Sequence, residues 1–261
     1  MIEELNKYAE KLMNEQNNLP IPEFEGYSPY EMHRLLEAAF GEKSPVQLAK
    51  LSSADYRQIP ILKPIRYLAE IMNKHGELKL TAKGFLPTKV VAEVYDQGFM
   101  DDDISRSPRP KILKEADSVT VNLTRILMVL GGMVKKRNNK LSLTKSGRDL
   151  LSDDAELLNQ MIRIYGYRFN WAYFDGYGEN QIGQLGFGFS LILLYKYGNQ
   201  KRLDSFYSEK YFRAYPSLLD NIKPFYSSRE VEGAKTLKTD LFEKPVTILP
   251  HKTYQLSYPK R

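Results

Sequence analysis

The sequence predicts a mainly α protein with small β-hairpins, of the α+β class, and three observations carry that prediction. Apolar residues recur at helical spacing in most segments that open on a capping residue. The alternating stretches that could form strands are short and lie beside turn residues. The second half changes composition without gaining strand pattern: 21 of the 31 aromatic residues lie beyond residue 154. That shift places a boundary near residue 152. It separates a helical 1–152 domain with strand-turn-helix units from an aromatic-rich helical 153–261 domain that closes on a β-hairpin.

The first helix is expected from Ile2 to about Glu15, with Ile2, Leu5, Leu12 and Met13 on one stripe. Leu19-Pro20-Ile21-Pro22-Glu23-Phe24 reads as an extended connector. Ser28-Pro29-Tyr30-Glu31 then combines a cap, a proline at the first helical position and a capping-box glutamate. Its helix turns Met32, Leu35, Leu36 and Ala39 inward and ends at Gly41. A further helix covers 64–73 with Ile65, Leu68, Ala69 and Met72 inward, and another covers 87–95.

Between these two, Leu78-Lys79-Leu80-Thr81-Ala82-Lys83-Gly84 matches Leu141-Ser142-Leu143-Thr144-Lys145-Ser146-Gly147 at Leu, Leu, Thr and Gly, 63 residues apart. A duplicated strand-turn-helix unit and a coincidence both fit the match. Beyond the boundary, helices are expected at 154–165, 181–197, 203–213 and 217–226. Val246–Leu249 should pair with Tyr254–Ser257 as the terminal hairpin.

The segment from Pro110 to Leu151 carries the functional signal. Val119, Leu123, Ile126, Leu127 and Leu130 form an expected buried stripe that leaves Asn122 and Arg125 outside, and Gly131-Gly132 ends the helix. Met133-Val134 and Leu141-Ser142-Leu143 read as strands around Asn138-Asn139, a pair that tolerates the positive backbone angles of a tight turn. From Met133 to Arg148 the chain holds Lys135, Lys136, Arg137, Lys140, Lys145 and Arg148 with no Asp or Glu, so this window equals the whole net charge of +6.

The phrase from Gly132 to Arg148, after a short helical run, resembles the wing of winged-helix DNA-binding domains, over residues 110–151. That resemblance implies that the 119–130 helix reads bases through Asn122 and Arg125 while the basic wing grips phosphate. Thr120 and Thr124 add little reading chemistry to an apolar helix, so weak sequence preference is expected. The N-terminal half, with Ser28-Pro29-Tyr30-Glu31-Met32-His33 and the Leu80–Pro87 phrase, also looks like uncharacterised bacterial proteins encoded near plasmid and transposon genes. Two functions remain open. One is non-catalytic nucleic-acid binding through the wing, with DNA as the expected partner; the other is a winged-helix protein-interaction scaffold.

Other constellations point to structure. The three histidines, His33, His75 and His251, stand in separate settings, and with no cysteine the chain offers no expected metal, cofactor or catalytic group. Asp101-Asp102-Asp103 reads as a solvated loop rather than a cation site. Gly183, Gly186 and Gly188 read as helix packing, because the lysine of a phosphate-binding loop is missing. Tyr207, Tyr211 and Tyr215 read as core in preference to a base-stacking stripe, and the aromatic run around Trp171 as a packing hub. An acidic N-terminus and short apolar runs predict no signal peptide and no membrane span, hence a cytoplasmic protein.

Overall fold

The computed structural model describes residues 1–99, 113–171, 182–222, 228–238 and 254–256. In chain order its elements begin with helix α1 (Ile2–Asn17), helix α2 (Pro29–Glu37) and strand β1 (Val46–Leu48). Helices α3 (Ser53–Gln58) and α4 (Leu62–His75), strand β2 (Leu78–Lys79), and helices α5 (Thr88–Tyr95) and α6 (Val119–Leu130) follow. Strands β3 (Val134–Arg137) and β4 (Lys140–Leu143) lead to helices α7 (Lys145–Leu151) and α8 (Asp154–Arg163). The remainder is α9 (Ile182–Leu185), α10 (Phe187–Tyr197), α11 (Asp204–Ala214), α12 (Arg229–Lys238) and strand β5 (Tyr254–Leu256). The chain is thus mainly helical with a small three-stranded antiparallel sheet, and no helix among the described residues is long and apolar enough to cross a membrane.

Two compact units divide the described residues. One combines Met1–Ala49 with residues from Trp171 onward, and the other is chiefly Lys50–Asn170. The expected boundary near 152 therefore falls inside the second unit, between α7 and α8. There Arg66 of α4 donates to Leu151 O at 3.0 Å and pairs with Asp154, so one side chain holds both sides of that position to α4.

In the first unit, Ser28 caps α2 as expected: its hydroxyl accepts from Glu31 N at 3.3 Å while Glu31 Oε2 accepts from Ser28 N at 2.8 Å. Met32 and Leu35 are buried, but Leu36 only in part, and the helix stops at Glu37 rather than Gly41. The proline-rich connector is not extended throughout. Pro22–Phe24 makes a 3-10 turn that delivers Glu25 at φ 59°, because proline presets the backbone angle a helical turn needs.

The stripe expected on α1 finds no cover. None of its side chains is buried, and Leu5 is 62% exposed. Local periodicity made the helix, but no element of the described residues packs on its apolar side.

The expected 181–197 helix breaks at Gly186, whose N–H donates to Tyr211 Oη at 3.0 Å and where a Cβ would lie 2.4 Å from that ring. A Cβ on Gly188 would meet Leu35 at 2.6 Å, so these glycines serve close helix packing. Tyr207 and Tyr211 are buried, as is Trp171, edge-on to Phe187 at 5.6 Å. Of the expected 217–226 helix, the described part, Pro216–Asn221, forms a 3-10 turn, and residues 223–226 lie outside the described residues. The expected partner of Tyr254–Ser257, residues 246–249, lies outside the described residues, as does Asp101-Asp102-Asp103. On the described side, β5 pairs with β1, Val46 opposite Leu256 and Leu48 opposite Tyr254.

The second unit builds its core from α4, α5 and α6. Leu62, Ile65, Leu68, Ala69 and Met72 of α4 are buried, with Val91 and Val94 of α5 and Val121, Leu127 and Met128 of α6. Fully burying such a side chain contributes roughly 1.5–3 kcal/mol, so this patch contributes strongly to the unit's stability. The two matching phrases turn out to be neighbours: β2 pairs antiparallel with β4, Leu78 opposite Leu141 and Lys79 opposite Lys140. Their glycines differ in purpose. Gly84 sits at φ +82° in a turn, whereas a Cβ on Gly147 would lie 2.2 Å from Met133 O.

Candidate nucleic-acid interface

The hairpin of β3 and β4 turns at Asn138 and Asn139, which hold φ of 49° and 54°, the paired positive angles of a two-residue turn that matches strand twist. Its tip is clamped. Asn139 Nδ2 donates to Leu80 O at 3.0 Å and to Thr81 O at 3.1 Å, and Leu80 N donates back to Asn139 O at 2.9 Å. The base is clamped by Thr144, which accepts from Gly147 N at 2.9 Å as the α7 cap and donates its hydroxyl to Gly132 O at 2.8 Å.

Alternation then sorts the side chains. Val134, Leu141 and Leu143 join Leu78 on the buried face, all under a tenth exposed. Lys135, Arg137, Lys140 and Lys79 stand on the other. The register makes Lys79 opposite Lys140 and Lys140 opposite Arg137, a row of cations across three strands. One carboxylate answers them: Glu77 pairs with Lys140 at 2.7 Å, each about half exposed. Lys79 was missed by sequence reasoning because β2 precedes the basic window by more than fifty residues, and nothing local marks which strand will lie beside β4.

The other expected residues divide. Lys145 is exposed in the first turn of α7, where a cation opposes the helix dipole. Arg148 donates to Leu143 O at 3.2 Å, which ties it to the hairpin base. Lys136 shares the register face of Leu141 but lies beyond the core, its ammonium crossing the turn at Gly84, where a Cβ would come within 2.5 Å of Nζ.

Helix α6 does not present Asn122 and Arg125 as expected. Asn122 is 5% exposed, and its Oδ1 has no hydrogen-bond partner among the described residues. Arg125 pairs with Glu115, itself 1% exposed, and lies 5.9 Å from the centre of the Phe85 ring. The buried face runs through Thr120, Val121, Asn122, Leu123 and Thr124, while Val119 is 43% exposed. The opposite end of α6 is covered as well. Gln160 of α8 donates to Gly131 O at 3.0 Å, and a Cβ on Gly131 would meet Ile164 and Met161 at 3.0 and 3.1 Å, so this end of α6 is sandwiched.

The order α4, β2, α5, α6, β3, β4, with the sheet ordered β2-β4-β3, is consistent with a winged-helix-like arrangement. It starts some fifty residues earlier than the 110–151 segment, because α4, β2 and α5 complete it. Residues 57–156, inside this unit, match the family model of the Y4jL N-terminal domain. No curated protein and no solved structure matches the chain significantly.

Proposed function

We propose that the chain is a non-catalytic nucleic-acid-binding protein, with DNA as its first candidate, and that a winged-helix-like unit from α4 to α7 grips phosphate on the outer face of its sheet. The observation that supports this reading is the row Lys79, Lys140, Arg137 with Lys135 beside it. Like charges directly opposite on neighbouring strands destabilise a sheet, by a magnitude of roughly 0.2–1 kcal/mol per pair. The hairpin is clamped at both ends and cannot splay to relieve that repulsion. Phosphate would relieve it, and counterions released from a nucleic acid would drive the association.

Because α6 is buried, the proposed contact is with backbone and carries little sequence information. The test is titration of labelled duplex DNA at low and moderate salt, comparing wild type with Lys79→Ala/Lys135→Ala/Arg137→Ala. Wild-type affinity should fall log-linearly with salt, and the variant should lose about three units of that slope at roughly 0.9 per phosphate contact. Absence of wild-type binding at low salt overturns the proposal in favour of a protein-interaction scaffold, the reading that the burial of α6 supports.

A further inference from the structure

We infer that the pocket between the Thr81–Leu86 turn and the Lys114–Ala116 turn accepts one nucleotide: a planar ring inside, its phosphate at the rim. The pocket measures about 440 Å³, within the range of roughly 300–1,000 Å³ typical of small-ligand sites. Ala82, Phe85, Leu86 and Ala116 give it apolar walls. Phe85 is 36% exposed at this pocket, which leaves ring surface for a flat ligand to cover, and Arg125 is held over the same ring at 5.9 Å.

The charge at the rim sets the other half of the ligand. Lys83 and Lys114 line the pocket and have no ion-pair partner among the described residues. Lys136 of the hairpin does not line the pocket, but its ammonium reaches over Gly84, within the turn that forms one wall. The neighbouring carboxylates are already engaged: Glu115 accepts from Leu86 N at 2.6 Å and pairs with Arg125, and Asp117 accepts from Lys114 N at 2.8 Å. An apolar floor rejects a bare, strongly hydrated phosphate, and the cationic rim rejects a neutral hydrocarbon. A flat ring with one anionic group satisfies both.

A nucleotide is chosen over other such anions because Lys136 belongs to the hairpin of the proposed phosphate-binding sheet; to that extent the inference rests on the proposed function. The nucleotide can come free from solution or from an unstacked base at a strand end. One experiment separates these sources. The full chain is titrated with labelled blunt duplex, with the same duplex carrying a single-stranded overhang, and, by calorimetry, with a nucleoside monophosphate and with octanoate. Each titration is repeated on Phe85→Leu and on Lys83→Ala/Lys114→Ala.

Stacking of one base corresponds to a gain of about tenfold for the overhang over the blunt duplex. Phe85→Leu should abolish that preference without changing blunt-duplex affinity, and the lysine variant should reduce it. Monophosphate binding lost in Phe85→Leu supports the pocket even if no duplex binds, and then assigns it to free nucleotide. Equal affinity for both duplexes with no monophosphate binding overturns the inference and leaves the sheet proposal standing. Binding of octanoate but not of the monophosphate also overturns it, because an aliphatic carboxylate needs no ring.

Discussion

Two groups of cations in this chain are arranged in opposite ways. In the first unit, Lys210 and Lys196 converge on Glu25, whose side chain is 9% exposed: Lys210 Nζ lies 2.6 Å from Oε1, and Lys196 donates to the Glu25 carbonyl. Tyr197 donates its hydroxyl to the same carboxylate at 2.5 Å, and Lys210 lies 4.7 Å from the centre of the Tyr197 ring. Burial lowers the pKa of the Lys196 ammonium from its ordinary value, and the Glu25 carboxylate beside it acts in the opposite direction. In the second unit, Lys79, Lys140 and Arg137 stand side by side, and a half-exposed glutamate pairs with Lys140. Charges gathered round a buried carboxylate hold a fold together. A row of like charges on a sheet does not, and the proposed phosphate contact rests on that row.

The comparison breaks most readily at Glu25. Glu25→Ala leaves two partly buried lysines without their anion, so stability should fall by about 2 kcal/mol, below the 3–5 kcal/mol of fully buried pairs because both lysines are a quarter exposed. Urea denaturation measures this, and an unchanged midpoint would mean that the cluster is incidental. Arg137→Glu should do the reverse in the sheet. It places opposite charges across from each other, stabilising by about 1 kcal/mol while weakening duplex binding. A destabilised variant would show that the row carries no repulsion.

Salt sharpens the same contrast without any substitution. Raising ionic strength screens exposed charges, so the wild-type protein should gain a few tenths of a kcal/mol from relief of the row. Lys79→Ala/Lys135→Ala/Arg137→Ala should gain less, and calorimetric melting at two salt concentrations compares them. The smallest effect is expected at α1. Removing residues 1–17 should shift stability by under about 0.5 kcal/mol, since none of the side chains of α1 is buried.

What could be read locally was read well. The Ser28 capping box, the Asn138-Asn139 turn and the packing glycines at 186 and 188 each depend on residues within a few positions, or on a steric requirement that glycine alone meets. The basic hairpin belongs to the same class, because its strands follow one another. Its third strand does not. Lys79 joins the row only through pairing with Lys140, and the two phrases that resembled a repeat are adjacent strands of a single sheet.

The sequence by itself determined most helices, their caps, the hairpin and its charge. Periodicity marks the apolar side of a helix, but it cannot say whether that side will be covered or whether a second layer will cover the other. Tertiary structure made those decisions. It left the stripe of α1 in solvent, buried Asn122 on the side that periodicity placed outside, and drew Lys196 and Lys210 to a glutamate far away in the chain. It also brought β5 to β1. The physical reason is common to all four: burial and pairing are relations between elements distant in sequence, and they are set by whichever partner the folded chain supplies.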